Sequence, residues 1–231
     1  MCSRCSAICL LGDVYYTRAA WCRRRGAPVW GGFLSKDVAA GGPGIDIGVH
    51  VLDLAMWMMD FPRPVSVTGI APQKLAGMDY VVNRPNIGGW REKGLKFDVE
   101  DFVAGFVRFE SGAAMSLEAS WLLNMADEEL MQCVLFGTRG GIDCWRGKIV
   151  TQEHGVMRVS DIDNVPQPKP HATAIMAFVD CIEKGTPVPV PPEESLVVIS
   201  ILDGIYRSHK TGSEIKLNVP VPPGRGKKRG K

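Results

Sequence analysis

At 231 residues the chain can hold one large domain or two small ones, and its 45% apolar and 23% charged content is ordinary for a soluble globular protein. The formal charge is only +2, and five of the 27 basic residues (Arg225, Lys227, Lys228, Arg229 and Lys231) crowd the last seven positions. The body is then weakly acidic, which argues against a nucleic-acid partner, and no apolar run is long enough to span a bilayer. The seven cysteines (2, 5, 9, 22, 133, 144 and 181) have no disulfide-framework spacing, which points to a reducing, cytoplasmic setting. Cys2, Cys5 and Cys9 lack a fourth ligand at a recognisable spacing, so no metal is expected.

Residues 13–23 alternate as a strand, and the Gly- and Pro-rich stretch 24–44 reads as a long loop. A helix is expected from Ile45 until Pro62 and Pro64 stop it. Residues 65–70 form a short strand, and 71–96, rich in Pro and Gly, read as a surface insertion carrying Tyr80, Arg84 and Trp90. A hairpin pairs 97–109 with 113–123 around Glu110-Ser111-Gly112, and its first strand, apolar on both faces, reads as covered on both sides. Further strands follow at 130–136, 141–145 and 148–152. Residues 171–184 make an amphipathic helix with Ile175, Phe178, Val179 and Ile182 inward. Residues 193–210 make a second, with Leu196, Ile199, Leu202, Ile205 and Tyr206 inward, and 214–217 a last strand. Residues 219–231 read as a disordered basic tail. Strands joined by hairpins and then two helices define an α+β fold, with an open, mostly antiparallel sheet and helices packed on one face. The apolar residues of the other face need cover, for which a second copy of the chain is the simplest source.

The helix from Ile45 is apolar nearly all round, except for one seam: Asp46, His50, Asp53 and Trp57. Ionisable groups are costly to bury without partners, so this seam belongs in a hydrogen-bonded network or a wet cleft. At i and i+4 on an α-helix, Asp46 and His50 meet, and such an Asp can orient an imidazole that acts as a general base near neutral pH. The same spacing also serves a structural polar pair inside a core. Arg24, Arg25 and Trp30, in the loop before the helix, and Tyr80 and Arg84, in the insertion, are candidate substrate contacts; a solvated loop is the alternative.

The stretch 41–60, a glycine cluster followed by Asp46-x-Gly48-x-His50-x-x-Asp53 and an apolar helix, resembles the signature of the glucose-fructose oxidoreductase / inositol dehydrogenase / MocA family. Residues 11–21, 99–121, 136–142 and 208–217 are similar to further segments of it, so the likeness covers roughly 12–217. It implies a two-domain enzyme: a Rossmann domain binding NAD or NADP, and a sheet domain that binds substrate and oligomerises. The implied reaction is hydride transfer at a hydroxyl-bearing carbon of a sugar, polyol or related small molecule. His50 would then take or give the hydroxyl proton, Asp46 would orient it or bind substrate, and Asp53 would support them.

Two family features are missing from the sequence. No GxGxxG precedes residue 12, and GRGKKRG at 224–230 has no strand–turn–helix context. No Glu-Lys-Pro segment supplies the family's catalytic lysine; Lys169-Pro170 follows Pro168. The expectation is a chain that is the second domain without its N-terminal Rossmann domain. Residues 1–12 are then a remnant of the missing domain, 13–218 the substrate-binding and oligomerisation domain, and 219–231 the tail. Such a half is expected to be inactive alone. The alternative is a non-catalytic binding or oligomerisation module that kept the fold without the cofactor.

Overall fold

The computed structural model describes residues 10–76, 96–163, 169–220 and 222. Its frame is a nine-stranded sheet: β1 (Val14–Arg23), β2 (Pro64–Ile70), β3 (Phe102–Phe109), β4 (Ala114–Ser120), β5 (Glu129–Gly137), β6 (Gly140–Asp143), β7 (Lys148–Glu153), β8 (Val156–Asp161) and β9 (Ile215–Lys216). The spatial order is β8-β7-β6-β5-β1-β4-β3-β2-β9, and every neighbouring pair is antiparallel except β1 with β4. The helices are α1 (Lys36–Ala39), a π-helical turn (Gly44–Gly48), α2 (Val49–Met58), α3 (Pro170–Lys184) and α4 (Pro192–Thr211).

Alternation decides which face is covered. Ala19, Leu117, Val107, Val67, Cys133 and Leu135 point to one side and are fully enclosed there by Val51, Leu52, Met56, Ile201 and Ile205 of α2 and α4. Directly opposite partners share a face, so the register of β1 against β4 and β5 (Ala19 between Leu117 and Cys133) builds this layer across the sheet centre. The reverse face carries Tyr16 stacked on Phe136 at 5.8 Å, with the Arg18 guanidinium over the Phe136 ring. Phe102, Ala104 and Phe106 of β3 are half-buried there, so this strand is covered on one side, not on both as its apolar pattern suggested.

Helix α3 departs from expectation. Ile175, Phe178 and Ile182 lie 63%, 59% and 68% exposed rather than inward. Amphipathic spacing marks a face that needs a partner; it does not say that the chain's own sheet supplies one. On α4 the buried stripe is Val197, Val198, Ile201, Leu202 and Ile205, while Leu196 and Ile199 are half exposed, a rotation of the inward face from the one expected. Strand β8 was not foreseen: its alternation is short, Met157 and Val159 against Arg158 and Ser160, and all six of its residues are exposed. Helix α2 ends before its prolines: Asp60 and Phe61 both adopt positive φ, and the Phe61 N–H donates to the Met56 carbonyl at 2.8 Å. Left-handed backbone costs a non-glycine residue about 1–2 kcal/mol, and burial of the Phe61 ring to 1% exposure offsets it.

Candidate active site

The seam residues do not lie on one regular α-helix. Asp46 sits in the π-helical turn and His50 in the first turn of α2. The π-turn, with its i→i+5 hydrogen bonds, takes the pair out of the regular α-helical geometry on which the i,i+4 spacing was read. The Asp46 carboxylate instead accepts from the indole N–H of Trp121 at 2.9 Å, and no hydrogen bond joins it to His50 among the described residues. Trp121 is fully buried just beyond β4, packed with Ile47, Val99 and Leu122, so its donor is fixed before any ligand arrives.

His50 and Asp53 are exposed, and Asp46 and Trp57 half-buried. The His50 ring lies 6.2 Å from that of Trp21 on β1, and Trp21 lies 6.3 Å from Trp145, just after β6. Trp21 is held on two sides. Its indole N–H donates to Glu129 Oε1 at 2.9 Å, and the Arg23 guanidinium, itself bonded to the same oxygen at 3.0 Å, lies over its ring. His50, Trp21 and Trp145 thus form an open row whose middle member is anchored.

The glycine cluster works through close approach. A Cβ on Gly42 would stand 2.2 Å from the Glu100 backbone oxygen, a position only glycine can take. The Glu100 carboxylate, 7% exposed, accepts from the Gly42 and Gly44 N–H groups at 2.9 and 3.2 Å and from the Tyr206 hydroxyl at 2.6 Å. It fills the N-terminus of the helical segment, where unpaired amides and the dipole favour an anion. Burial first, and then the Glu100 charge, push the Tyr206 hydroxyl well above the ordinary phenol range.

The other sequence candidates fall elsewhere. Arg24 bonds to the Ala126 carbonyl and pairs with Glu128, and Arg25 donates to the carbonyls of Arg24 and Leu123 and to Asn124. Both guanidinium groups fix the 123–128 turn. Trp30 is half exposed, edge-on to Phe33, in a loop whose Ala27 and Val29 pack beside Ile47 and Trp121. Tyr80, Arg84 and Trp90 lie outside the described residues. Their segment is entered from an anchored start, since the buried Asp101 carboxylate accepts from the backbone N–H groups of Lys74, Leu75 and Ala76. Trp21, Glu100, Trp121 and Tyr206 were not singled out from sequence. Glu100, in the acidic stretch Asp98-Val99-Glu100-Asp101 that leads into the hairpin's apolar run, carried no local signal that set it apart.

The described residues do not form a dinucleotide grip. The sheet's parallel pair, β1 with β4, is not linked through a Gly-rich strand-to-helix turn. At the Gly-rich entry to the helical segment, 41–44, the Gly42 and Gly44 amides, which could otherwise face an anion, are taken by Glu100. No group of three His, Cys, Asp or Glu among the described residues could hold a metal ion, and no described helix is long and apolar enough to cross a membrane.

Residues 10–143 match the GFO/IDH/MocA C-terminal domain. The chain therefore belongs to the GFO/IDH/MocA family, through that C-terminal domain. It is 30% identical over 209 residues to D-glucoside 3-dehydrogenase of Escherichia coli (strain K12), covering 90% of this chain and 58% of the relative. Among solved structures, aldose-aldose oxidoreductase from Caulobacter crescentus, complexed with glycerol, superposes with a TM-score of 0.68 at 21% identity, covering 93% of this chain and 60% of that one. Levoglucosan dehydrogenase in complex with NADH superposes with a TM-score of 0.67 at 19% identity, covering 94% and 64%. The chain thus spans about three-fifths of the length of these proteins.

Proposed function

We propose that the chain is the substrate-binding half of an NAD(P)-dependent oxidoreductase acting on a CH–OH group of a sugar, polyol or related compound. The observation that carries this reading is the placement of the Asp-x-Gly-x-His segment. Asp46 is pinned by a buried tryptophan, and His50 is presented on an open face beside Trp21. Likeness to a glucoside dehydrogenase supports a sugar or polyol as substrate. A nicotinamide would take or give the hydride. The step assigned to this chain is proton transfer alone, with His50 accepting the hydroxyl proton of a substrate lying along the Trp21 side of the seam. Asp46, held by Trp121, takes a positioning role or a hydrogen bond to substrate, and Asp53 extends the polar edge of the same helix. Self-association through the half-buried reverse face of the sheet and a cytoplasmic setting complete the reading.

A chimera tests it. The part of the E. coli relative that this chain does not match, joined to this chain, is expected to reduce NAD with a glucoside or polyol, and His50→Ala in the chimera to lower turnover by roughly 10²–10⁴-fold. A folded chimera that binds NADH but turns over none of a panel of aldoses, glucosides and polyols would favour the non-catalytic module.

A further inference from the structure

Cys133 and Cys144 lie outside the proton-transfer seam, and they form the one pairing of reactive side chains in the described sheet that the proposed reaction does not use. Strands β5 and β6 are antiparallel, with Val134 opposite Asp143 and Leu135 opposite Ile142. One rung further, Cys133 stands directly opposite Cys144, and the Cys144 N–H donates to the Cys133 carbonyl at 2.9 Å. Directly opposite residues project from the same face, and both side chains belong to the core layer: Cys133 is fully enclosed, and Cys144 is partly buried against it. Hydrogen-bonded cross-strand partners have Cα atoms about 5.5 Å apart, inside the roughly 4.4–6.8 Å window of disulfides. Both are thiols in the structure.

The two sulfurs are unequal. Their hydrogen bond to each other, and then burial, raise the Cys133 thiol. The same hydrogen bond holds Cys144 below the ordinary thiol range, against the effect of burial. The more accessible sulfur is therefore the one that ionises first, and a protonated partner lies in contact behind it. A low-pKa, accessible cysteine beside a resolving cysteine is the arrangement of a redox-responsive pair.

We propose that Cys133 and Cys144 are a reversible dithiol–disulfide pair, with Cys144 the thiol oxidised first and Cys133 the resolving thiol. With hydrogen peroxide as oxidant, the Cys144 thiolate attacks one peroxide oxygen. The O–O bond breaks, hydroxide leaves, and Cys144 becomes a sulfenic acid. The Cys133 sulfur then attacks the Cys144 sulfur, the S–S bond forms, the S–O bond breaks, and the departing hydroxide takes the Cys133 proton as water. Overall, two thiols lose two hydrogens and one peroxide becomes two waters. Trp145 follows Cys144 directly and its ring contacts Trp21, which contacts His50. The disulfide therefore forms one residue from the aromatic row beside the seam.

The test uses the whole 231-residue chain, folded, treated with stoichiometric hydrogen peroxide. Remaining thiols are then trapped with N-ethylmaleimide under denaturing acid, and the unreduced digest is mapped by mass spectrometry. The expected product is a peptide pair joined through Cys133 and Cys144, lost on dithiothreitol treatment. In Cys133→Ser, dimedone is expected to trap a sulfenic acid on Cys144; in Cys144→Ser, Cys133 should remain a free thiol. Tryptophan emission should fall on oxidation of the wild type, recover with dithiothreitol and stay constant in Cys133→Ser. Recovery of both cysteines as maleimide adducts, a link from Cys144 to any other cysteine, or a 133–144 link formed only in guanidinium-unfolded chain would overturn the pair. An unchanged emission despite the link would overturn its connection to the aromatic row.

Discussion

Trp121 donates its indole N–H to Asp46 at 2.9 Å from a position with no solvent exposure. Hydrogen bonds to charged groups contribute about 1.5–3 kcal/mol, and Phe in place of Trp also leaves a void. Trp121→Phe is therefore expected to destabilise the chain by about 2–4 kcal/mol, read as a lower denaturant midpoint at unchanged slope. Asp46→Asn keeps an acceptor oxygen and should cost less than about 1 kcal/mol. A Trp121→Phe chain as stable as wild type would show that the indole does not hold the carboxylate.

His50 offers the contrasting case. It is exposed, so His50→Ala should change stability by no more than about 0.5 kcal/mol. In the chimera the same substitution is expected to lower kcat by roughly 10²–10⁴-fold, the usual worth of a general base. Paired melting curves and steady-state rates check both halves, and a large loss of stability would reassign His50 to structure.

Alkaline stability should report Tyr206. Burial and the Glu100 charge hold its hydroxyl above the ordinary phenol value in the folded chain. The unfolded chain releases this proton near pH 10, whereas the folded chain keeps it. The contribution is therefore complete below about pH 10 and declines above it, by up to about 1.4 kcal/mol per pH unit. Cys22, pushed up to about 12 by burial and then by Glu118, adds a second decline that begins near the ordinary thiol value. Urea unfolding of Tyr206→Phe between pH 9 and 11 is expected to show a shallower fall than wild type, together with a lower plateau at neutral pH from the lost bond to Glu100.

Thr17 lies in the middle of β1 with no exposure, and its hydroxyl has no hydrogen-bond partner among the described residues. An unpaired buried hydroxyl costs about 1–3 kcal/mol. Thr17→Val keeps the β-branched shape and removes the polar atom, so the variant is expected to be more stable by about 1 kcal/mol. A thermal melt checks this, and a less stable variant would mean that the hydroxyl is solvated in solution.

The sequence was most informative where one interaction dominates. Alternation located β1 to within a residue and both strands of the β3–β4 hairpin, because a half-buried strand must alternate. The resemblance carried by Asp46, Gly48, His50 and Asp53 led to the family, and residues 10–143 confirm it. The site's second layer could not be read, because it depends on distant parts of the chain. Glu100 reaches Gly42 and Gly44 across 58 and 56 residues, and Tyr206 reaches Glu100 across 106. The π-turn was hidden for a related reason. Nothing local distinguishes it from the first turn of α2, and the Asp46–Trp121 bond spans 75 residues. The stripes of α3 and α4 were visible as stripes, but which way they turn is set by packing against surfaces that periodicity does not name.

The one parallel pairing in the sheet has a kinetic consequence. Strand β1 lies between β4 and β5 at the sheet centre, and its contacts reach about a hundred residues ahead; the Tyr16–Ser116 bond spans 100. Strand β1 is made before both of its sheet neighbours and thus waits, unpaired, until the β3–β4 hairpin and β5 have been made. Contacts so far apart in the chain fold slowly, because the ends of a long loop must be brought together before pairing gains anything. Refolding is expected to be limited by insertion of β1 between strands already paired, so pulse-labelled amides of 14–23 should gain protection after those of 102–120. During that interval the centre of the sheet is an open slot, and the chain is most exposed to chaperones and to pairing with other copies of itself.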